Sequence, residues 1–422
     1  MRAALLFALT ALTAFAGVDD TFLIRGATVY PVSGPKMENA SLLVVDGKIA
    51  EIGPKVTAGK TVKVIDGRGL HVYPGMIDSA TEAGMQEITS VRETADINEI
   101  GDFKPQLRAV IAVNPISEHI PVIRANGITS VMVLPGGGII AGQAGLIHLD
   151  GWTWEEMLIK RDAAMNLLFP SIGGGGGFSM SAGPTRVSFT ESKRTYDRRI
   201  KQLKDYFESA RRYQKAKTAG GAGFKIDLAF EAMIPVLEGK MPLIVNAVRE
   251  RAIREAVDWA TKENVKIVLA GVRKPGNTLA DLKAKNIPVI LGPTLTLPME
   301  EDDPYDSPFT LPNELYKAGV KFAFGSFENQ FSRNLPYQAG TAVGFGLPYE
   351  EALKSVTLNP AQIWGVDATL GSIDKGKWAD LMITNGDPLE VRTEVKRLYV
   401  KGKEVDIDSR HTKLYKKYLA RP

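Results

Sequence analysis

The 422 residues are 44% hydrophobic and 24% charged, enough for a large core and ordinary for a soluble globular chain. With 52 basic against 48 acidic residues the net charge is only +4, which as a total gives no signature of nucleic-acid or anionic-surface binding. The absence of cysteine excludes a disulfide framework and a thiol nucleophile.

In chain order, Arg2 precedes an apolar run from Ala3 to Phe15, with small residues flanking Phe15 ahead of Gly17. A basic start, a hydrophobic stretch too short to span a bilayer and a small-residue cleavage site read as a Sec-type signal peptide over residues 1–16. The expected address is periplasmic or extracellular. No later stretch approaches about 18 uninterrupted apolar residues, so no membrane span is expected.

Short strands follow: Phe22 to Tyr30, Ser41 to Val45, Lys48 to Gly53 and Thr61 to Asp66, with Asp46-Gly47 as a two-residue hairpin turn. The other end of the chain repeats the pattern. Ala379 to Thr384 reads as a strand, and Val395 to Val405 as a hairpin pivoting near Gly402. Residues 17–70 and 368–422 are therefore expected to form one small discontinuous β-sandwich.

Between them, buried strands alternate with helical periodicity. Gly69 to Ile77, Ile128 to Leu134, Met165 to Phe169, Pro242 to Val245, Val265 to Leu269, Ile287 to Leu291 and Val320 to Phe324 are the clear strands, with an eighth sought between Ala219 and Leu228. Arg249 to Lys262 carries Ala252, Ile253, Ala256, Val257 and Ala260 on one helical face. The expected fold is α/β, a (β/α)8 TIM-type barrel over residues 71–367. Two interruptions stand apart. Gly173 to Gly177 reads as a loop, because no phosphate-binding Lys-Ser/Thr follows it. Ser192 to Lys217, with Ile200, Leu203, Phe207 and Ala210 at helical spacing, reads as a solvated outer helix.

The run Asp66-Gly67-Arg68-Gly69-Leu70-His71-Val72-Tyr73-Pro74-Gly75-Met76-Ile77-Asp78 and the ordered blocks Thr357-Leu358-Asn359-Pro360-Ala361, Leu370-Gly371-Ser372-Ile373, Lys375-Gly376-Lys377 and Ala379-Asp380-Leu381 resemble the amidohydrolase superfamily, in particular its imidazolonepropionase-like branch. The resemblance implies a barrel with a β-sandwich built from both chain ends. It also implies hydrolysis of non-peptide carbon–nitrogen bonds, with one or two divalent metals such as zinc that activate water.

The ligand positions depart from that pattern. The resemblance implies that the family's His-x-His pair falls on Ala80 and Glu82, a middle-strand histidine on Asn246, the next at or beside Gly271, and the metal-binding, proton-accepting Asp near Phe327. The four histidines, His71, His119, His148 and His411, give no pair at ligand spacing; His148 reads as part of a polar β-like segment and His119 as a helix-surface or capping residue. No metal cofactor is therefore expected. Asp78, Glu82, Glu87 and Glu328 are the carboxylates near strand ends, and Glu82 is the best single catalytic candidate because it replaces a ligand. The competing reading pairs Glu82 with a nearby cation or with water. The glycines of Leu134 to Gly145 offer close backbone approach to a ligand, and Trp152 and Trp154 an aromatic platform or core contacts. Three readings stay open: a non-catalytic member with a degenerate metal site, a hydrolase of cyclic-amide or dipeptide-like substrates using carboxylates, and a structural subunit paired with an active relative. The partners expected are a small amide-like ligand and a second copy or an active relative, with no nucleic acid.

Overall fold

In a computed structural model, residues 20–172, 188–221 and 223–421 are described. The signal-peptide reading and the Gly173 to Gly177 run lie outside them. The strands are β1 (Phe22–Val29), β2 (Met37–Val45), β3 (Lys48–Gly53), β4 (Lys63–Asp66), β5 (His71–Pro74), β6 (Met76–Thr81), β7 (Ile128–Val133) and β8 (Ile140–His148). They continue with β9 (Leu158–Leu167), β10 (Leu243–Asn246), β11 (Ile267–Ala270), β12 (Val289–Leu291), β13 (Phe322–Phe324), β14 (Leu381–Thr384), β15 (Val395–Val400) and β16 (Lys403–Val405).

Both chain ends build one sheet, ordered β16-β15-β14-β5-β1-β2-β3, with β4 also paired to β1. Alternate residues Phe22 and Ile24 of β1, Leu42 and Val44 of β2, Val72 of β5, Leu381 and Ile383 of β14 and Tyr399 of β15 meet in one buried cluster. That period of two is why these segments were legible as strands. Asp46 and Gly47 both take positive φ, 50° and 73°, the geometry a tight hairpin turn requires. This turn packs on the β15–β16 turn so closely that a Cβ on Gly402 would lie 2.5 Å from the Gly47 Cα.

The stretch from Gly69 to Ile77, expected as one strand, is two strands in different sheets. β5 pairs with β1 and β14, whereas β6 pairs with β7, and the chain crosses over at Gly75. A Cβ there would sit 2.2 Å from Thr129 Oγ1, so the Pro-Gly bend is a steric necessity of the crossover.

The second sheet has eight strands in the order β13-β12-β11-β10-β9-β8-β7-β6 and curls into a nearly closed TIM-type barrel. Its eighth strand is not between Ala219 and Leu228, where the described residues hold none. It is β8, antiparallel to both β7 and β9. The polar glycine-rich composition of Gly136 to Gly145 masked this strand. Gly142 and Gly145 admit the neighbouring segment rather than a ligand: Cβ atoms there would lie 2.9 Å from the Leu107 carbonyl and 2.3 Å from Val110. His148, read as part of a polar segment, is fully buried at the end of β8.

Inside the barrel, Met132, Ile244, Val268, Ile290 and Ala323 point inward with Trp364 and Leu370. The alternate residues face the helices in a larger cluster. The helix Glu250–Glu263 buries Ile253, Ala256, Val257, Trp259 and Ala260 and stops at Asn264, whose φ of 53° is the left-handed cap position. The helix Phe189–Ala219 buries only Leu203, Phe207 and Ala210, so most of its surface is solvated, as its interleaved charges imply.

Candidate active site at the barrel mouth

The parallel strands all end at one mouth, and the five replaced ligand positions belong to it. Ala80, at the end of β6, is buried in the interior cluster, and a Cβ on Gly325 would be only 2.7 Å from its own. On adjacent strands, Asn246 donates from Nδ2 to Asn166 Oδ1 at 3.2 Å, and Asn166 donates to the Pro135 carbonyl at 2.7 Å. Gly271 follows β11 with a φ of +69°, and beyond its missing side chain the nearest atom is Asn246 Oδ1, at 4.0 Å. Phe327 packs on the interior cluster, and its ring covers Gly292 at 3.9 Å from where a Cβ would stand. A phenyl ring thus lies over small residues of the barrel interior.

Phe327 is held there against its backbone preference. Its φ is +57°, a conformation that costs a bulky residue roughly 1–3 kcal/mol. The Phe327 amide donates to the Ala80 carbonyl at 2.7 Å. Around it, the Ser332 hydroxyl meets those of Thr81 and Ser326 at 2.8 Å each, and Thr81 and Ser332 both donate to the Glu328 carbonyl at 2.6 Å. These hydroxyls were not singled out from the sequence, because isolated Ser and Thr residues carry no periodic signal. Asn166 was also missed, because Asn246 was picked by its correspondence to a family histidine and no such correspondence marks Asn166.

Three carboxylates face this region. Asp78 is fully buried; its Oδ1 accepts the amides of Ala80 at 3.1 Å and Ser326 at 3.0 Å, tying β6 to the segment after β13, while Oδ2 has no partner. Burial pushes its pKa up to about 7, against the pull of the Ser326 hydrogen bonds and with help from the Glu328 charge. Glu82 is half-buried and its carboxylate has no ion-pair or hydrogen-bond partner among the described residues, so the cation-paired reading does not hold there. Burial and then the Glu328 charge raise its pKa to about 7. Glu328 is itself raised by burial, opposed by Arg333. Glu87 stands apart, accepting from Asn114 at 3.3 Å, and its carbonyl is bonded to the His119 ring at 2.8 Å. His119 is therefore a loop tether, His71 stacks on Tyr30 and Tyr73 in the terminal sheet, and His411 is exposed. Trp152 is exposed and Trp154 packs on the core, so the two form no joint platform.

The residues present do not fit the family's metal. Ala80, Gly271 and Phe327 offer no donor atom, Asn246 is engaged with Asn166, and only Glu82 brings a charged oxygen. Among the described residues, the one set of three acids with ligand atoms within 4.8 Å is Glu300, Asp302 and Asp303. Two of these are already neutralised, Glu300 by Arg249 and Lys274, and Asp303 by Lys274. They border a cavity of about 440 Å³, also lined by Arg273 and Leu311, that touches none of the five replaced positions.

Comparison with known proteins agrees with this frame. An amidohydrolase family model matches residues 337–406. A solved amidohydrolase from Thermotoga maritima superposes with a TM-score of 0.78 at 27% identity, covering 91% of this chain and 99% of that one. The chain belongs to the amidohydrolase superfamily. Imidazolonepropionase of Flavobacterium johnsoniae is 22% identical over 88% of this chain and 93% of its own length. The amidohydrolase TasK of Hapsidospora irregularis is 24% identical over 90% of this chain, which spans only 42% of that protein.

Proposed function

We propose that this amidohydrolase-superfamily chain is a metal-independent member that binds a small amide-like ligand without the family's metal-bound hydroxide. The observation that carries this reading is Phe327, whose ring and pinned backbone stand where the proton-accepting metal ligand would be. The ligand-sized cavity beside the mouth supports it, since it offers a seat that needs no metal. Purified protein equilibrated with zinc or manganese and then dialysed is expected to retain below about 0.1 equivalents, because too few donors converge to hold an ion. One tightly held equivalent by elemental analysis and calorimetry would overturn the proposal.

A second reading is supported by the carboxylates. Glu82, raised by burial and the Glu328 charge to about 7, and Glu328, raised by burial against the pull of Arg333, could divide the roles of base and acid in amide hydrolysis. The ionised partner takes a proton from water as its oxygen bonds to the carbonyl carbon. The protonated partner then gives its proton to the leaving nitrogen as the carbon–nitrogen bond breaks. On a panel of hydantoins, lactams and dipeptides, Glu82→Gln is expected to lower kcat by about 100-fold or more and to remove the pH limb near neutrality. Equal turnover in variant and wild type removes Glu82 from any mechanism, and no turnover by either leaves the binding reading alone. Export and pairing with a His-bearing relative belong to the same proposal. Cell fractionation and co-purification test them, and a purely cytoplasmic, unpartnered chain would count against both.

A further inference from the structure

The net charge of +4 conceals a segregation. Arg410, Lys413, Lys416, Lys417 and Arg421 place five cations and no acid within residues 410–421, so the rest of the chain sums to −1. Residues Arg410–Leu419 form a helix capped by Ser409, in which no residue is buried. At 100° per residue, Leu414, Tyr415, Tyr418 and Leu419 fall on one face of the helix and Arg410, Lys413, Lys416 and Lys417 on the other, with Arg421 just past the helix end. The apolar face is uncovered: Leu414 is 38% exposed, Tyr415 67%, Tyr418 60% and Leu419 69%. Lys416 pairs with Asp408, whereas Arg410, Lys413, Lys417 and Arg421 have no ion pair among the described residues. The base of the helix is fixed to the body, because Ile407 packs on the main core and Ser409 is buried.

We propose that this helix docks the protein on an anionic phospholipid surface, with the Tyr/Leu face at the headgroup–acyl boundary and the cations among the headgroups. The charge decides the occupant. A second copy seated on the apolar face would cover the Tyr/Leu side chains but leave both sets of cations unmatched, whereas an anionic bilayer complements the cations and accepts the apolar face together. Interfacial tyrosines suit that position, having an apolar ring and a polar tip. With only ten helical residues the attachment is peripheral and salt-sensitive. It adds no spanning segment, in accord with the absence among the described residues of any helix long and apolar enough to cross a membrane.

The test is flotation of the purified full chain with vesicles of phosphatidylcholine alone and with about a third phosphatidylglycerol, at low and high salt. The expected result is flotation only with the anionic vesicles, weakened by salt. It should fall at least about ten-fold both in L414S/Y415S/Y418S/L419S and in K413E/K417E, with unchanged thermal midpoints. Absence of flotation with anionic vesicles, or undiminished flotation of the apolar-face variant, overturns the proposal. So does light scattering that shows a dimer broken by that same variant, which would assign the face to a second copy.

Discussion

Unfolding free energy is expected to fall as pH rises from about 4.5 to 7, with Asp78 the largest contributor. Its folded pKa, about 7, lies above the ordinary value of 3.8, so within that window the folded state holds a proton that the unfolded state has released. Stability from this group is thus fully present at acid pH and lost as pH climbs toward 7. Three pKa units correspond to roughly 4 kcal/mol as an upper bound, less whatever the site relaxes. Glu82 acts in the same direction and more weakly, because it is partly open to solvent. Asp78→Asn keeps an acceptor for the Ala80 and Ser326 amides while removing the charge. It should gain about 2 kcal/mol or more over wild type at pH 8 and flatten the slope. Urea midpoints at several pH values decide this, and a variant that tracks wild type throughout would refute the assignment.

The junction between the two sheets carries the other large effect. Asp380 is 5% exposed, accepts the Lys401 amide at 2.7 Å and lies 3.3 Å from His148 Nδ1. His148 Nδ1 also faces the Ser130 hydroxyl at 3.3 Å, while its Nε2 is buried without a partner. Ser130 and Asp380 both address the same ring nitrogen. A proton relay would need them on opposite nitrogens, so the trio is a structural clasp between barrel and terminal sheet. Asp380→Ala removes the acceptor for Lys401 and leaves Ser130 as the one polar partner of His148 Nδ1 in a sealed site, and should cost about 3–5 kcal/mol. Asp380→Asn retains an acceptor and should cost clearly less. A loss below about 1 kcal/mol for the alanine variant would show that the clasp bears little of the stability.

The terminal strands were legible because their periodicity is local: β1, β2 and the β15–β16 hairpin bury alternate side chains and turn at Asp46-Gly47 and Gly402. The barrel strands were legible as short apolar runs ending in Gly or Pro. β8 was not, because its glycines and Gln143 mimic a loop until Leu107 and Val110 are known to press against them. The vacancies at the ligand positions could be read by spacing. What fills them could not: the Phe327 side chain reaches the interior cluster from a left-handed backbone, held by the hydrogen bond its amide donates to the Ala80 carbonyl and by neighbouring hydroxyls.

The ordered motif runs carried the resemblance to the superfamily, and that resemblance implied the loss of donors at Ala80, Gly271 and Phe327, since both depend on residue identity along the chain. Only the folded arrangement decided the raised pKa values of Asp78 and Glu82, the crossover at Gly75 and the burial of His148. These follow from desolvation and contact between segments far apart in the chain, such as Asp78 and Ser326, 248 positions apart. No local pattern encodes such pairs.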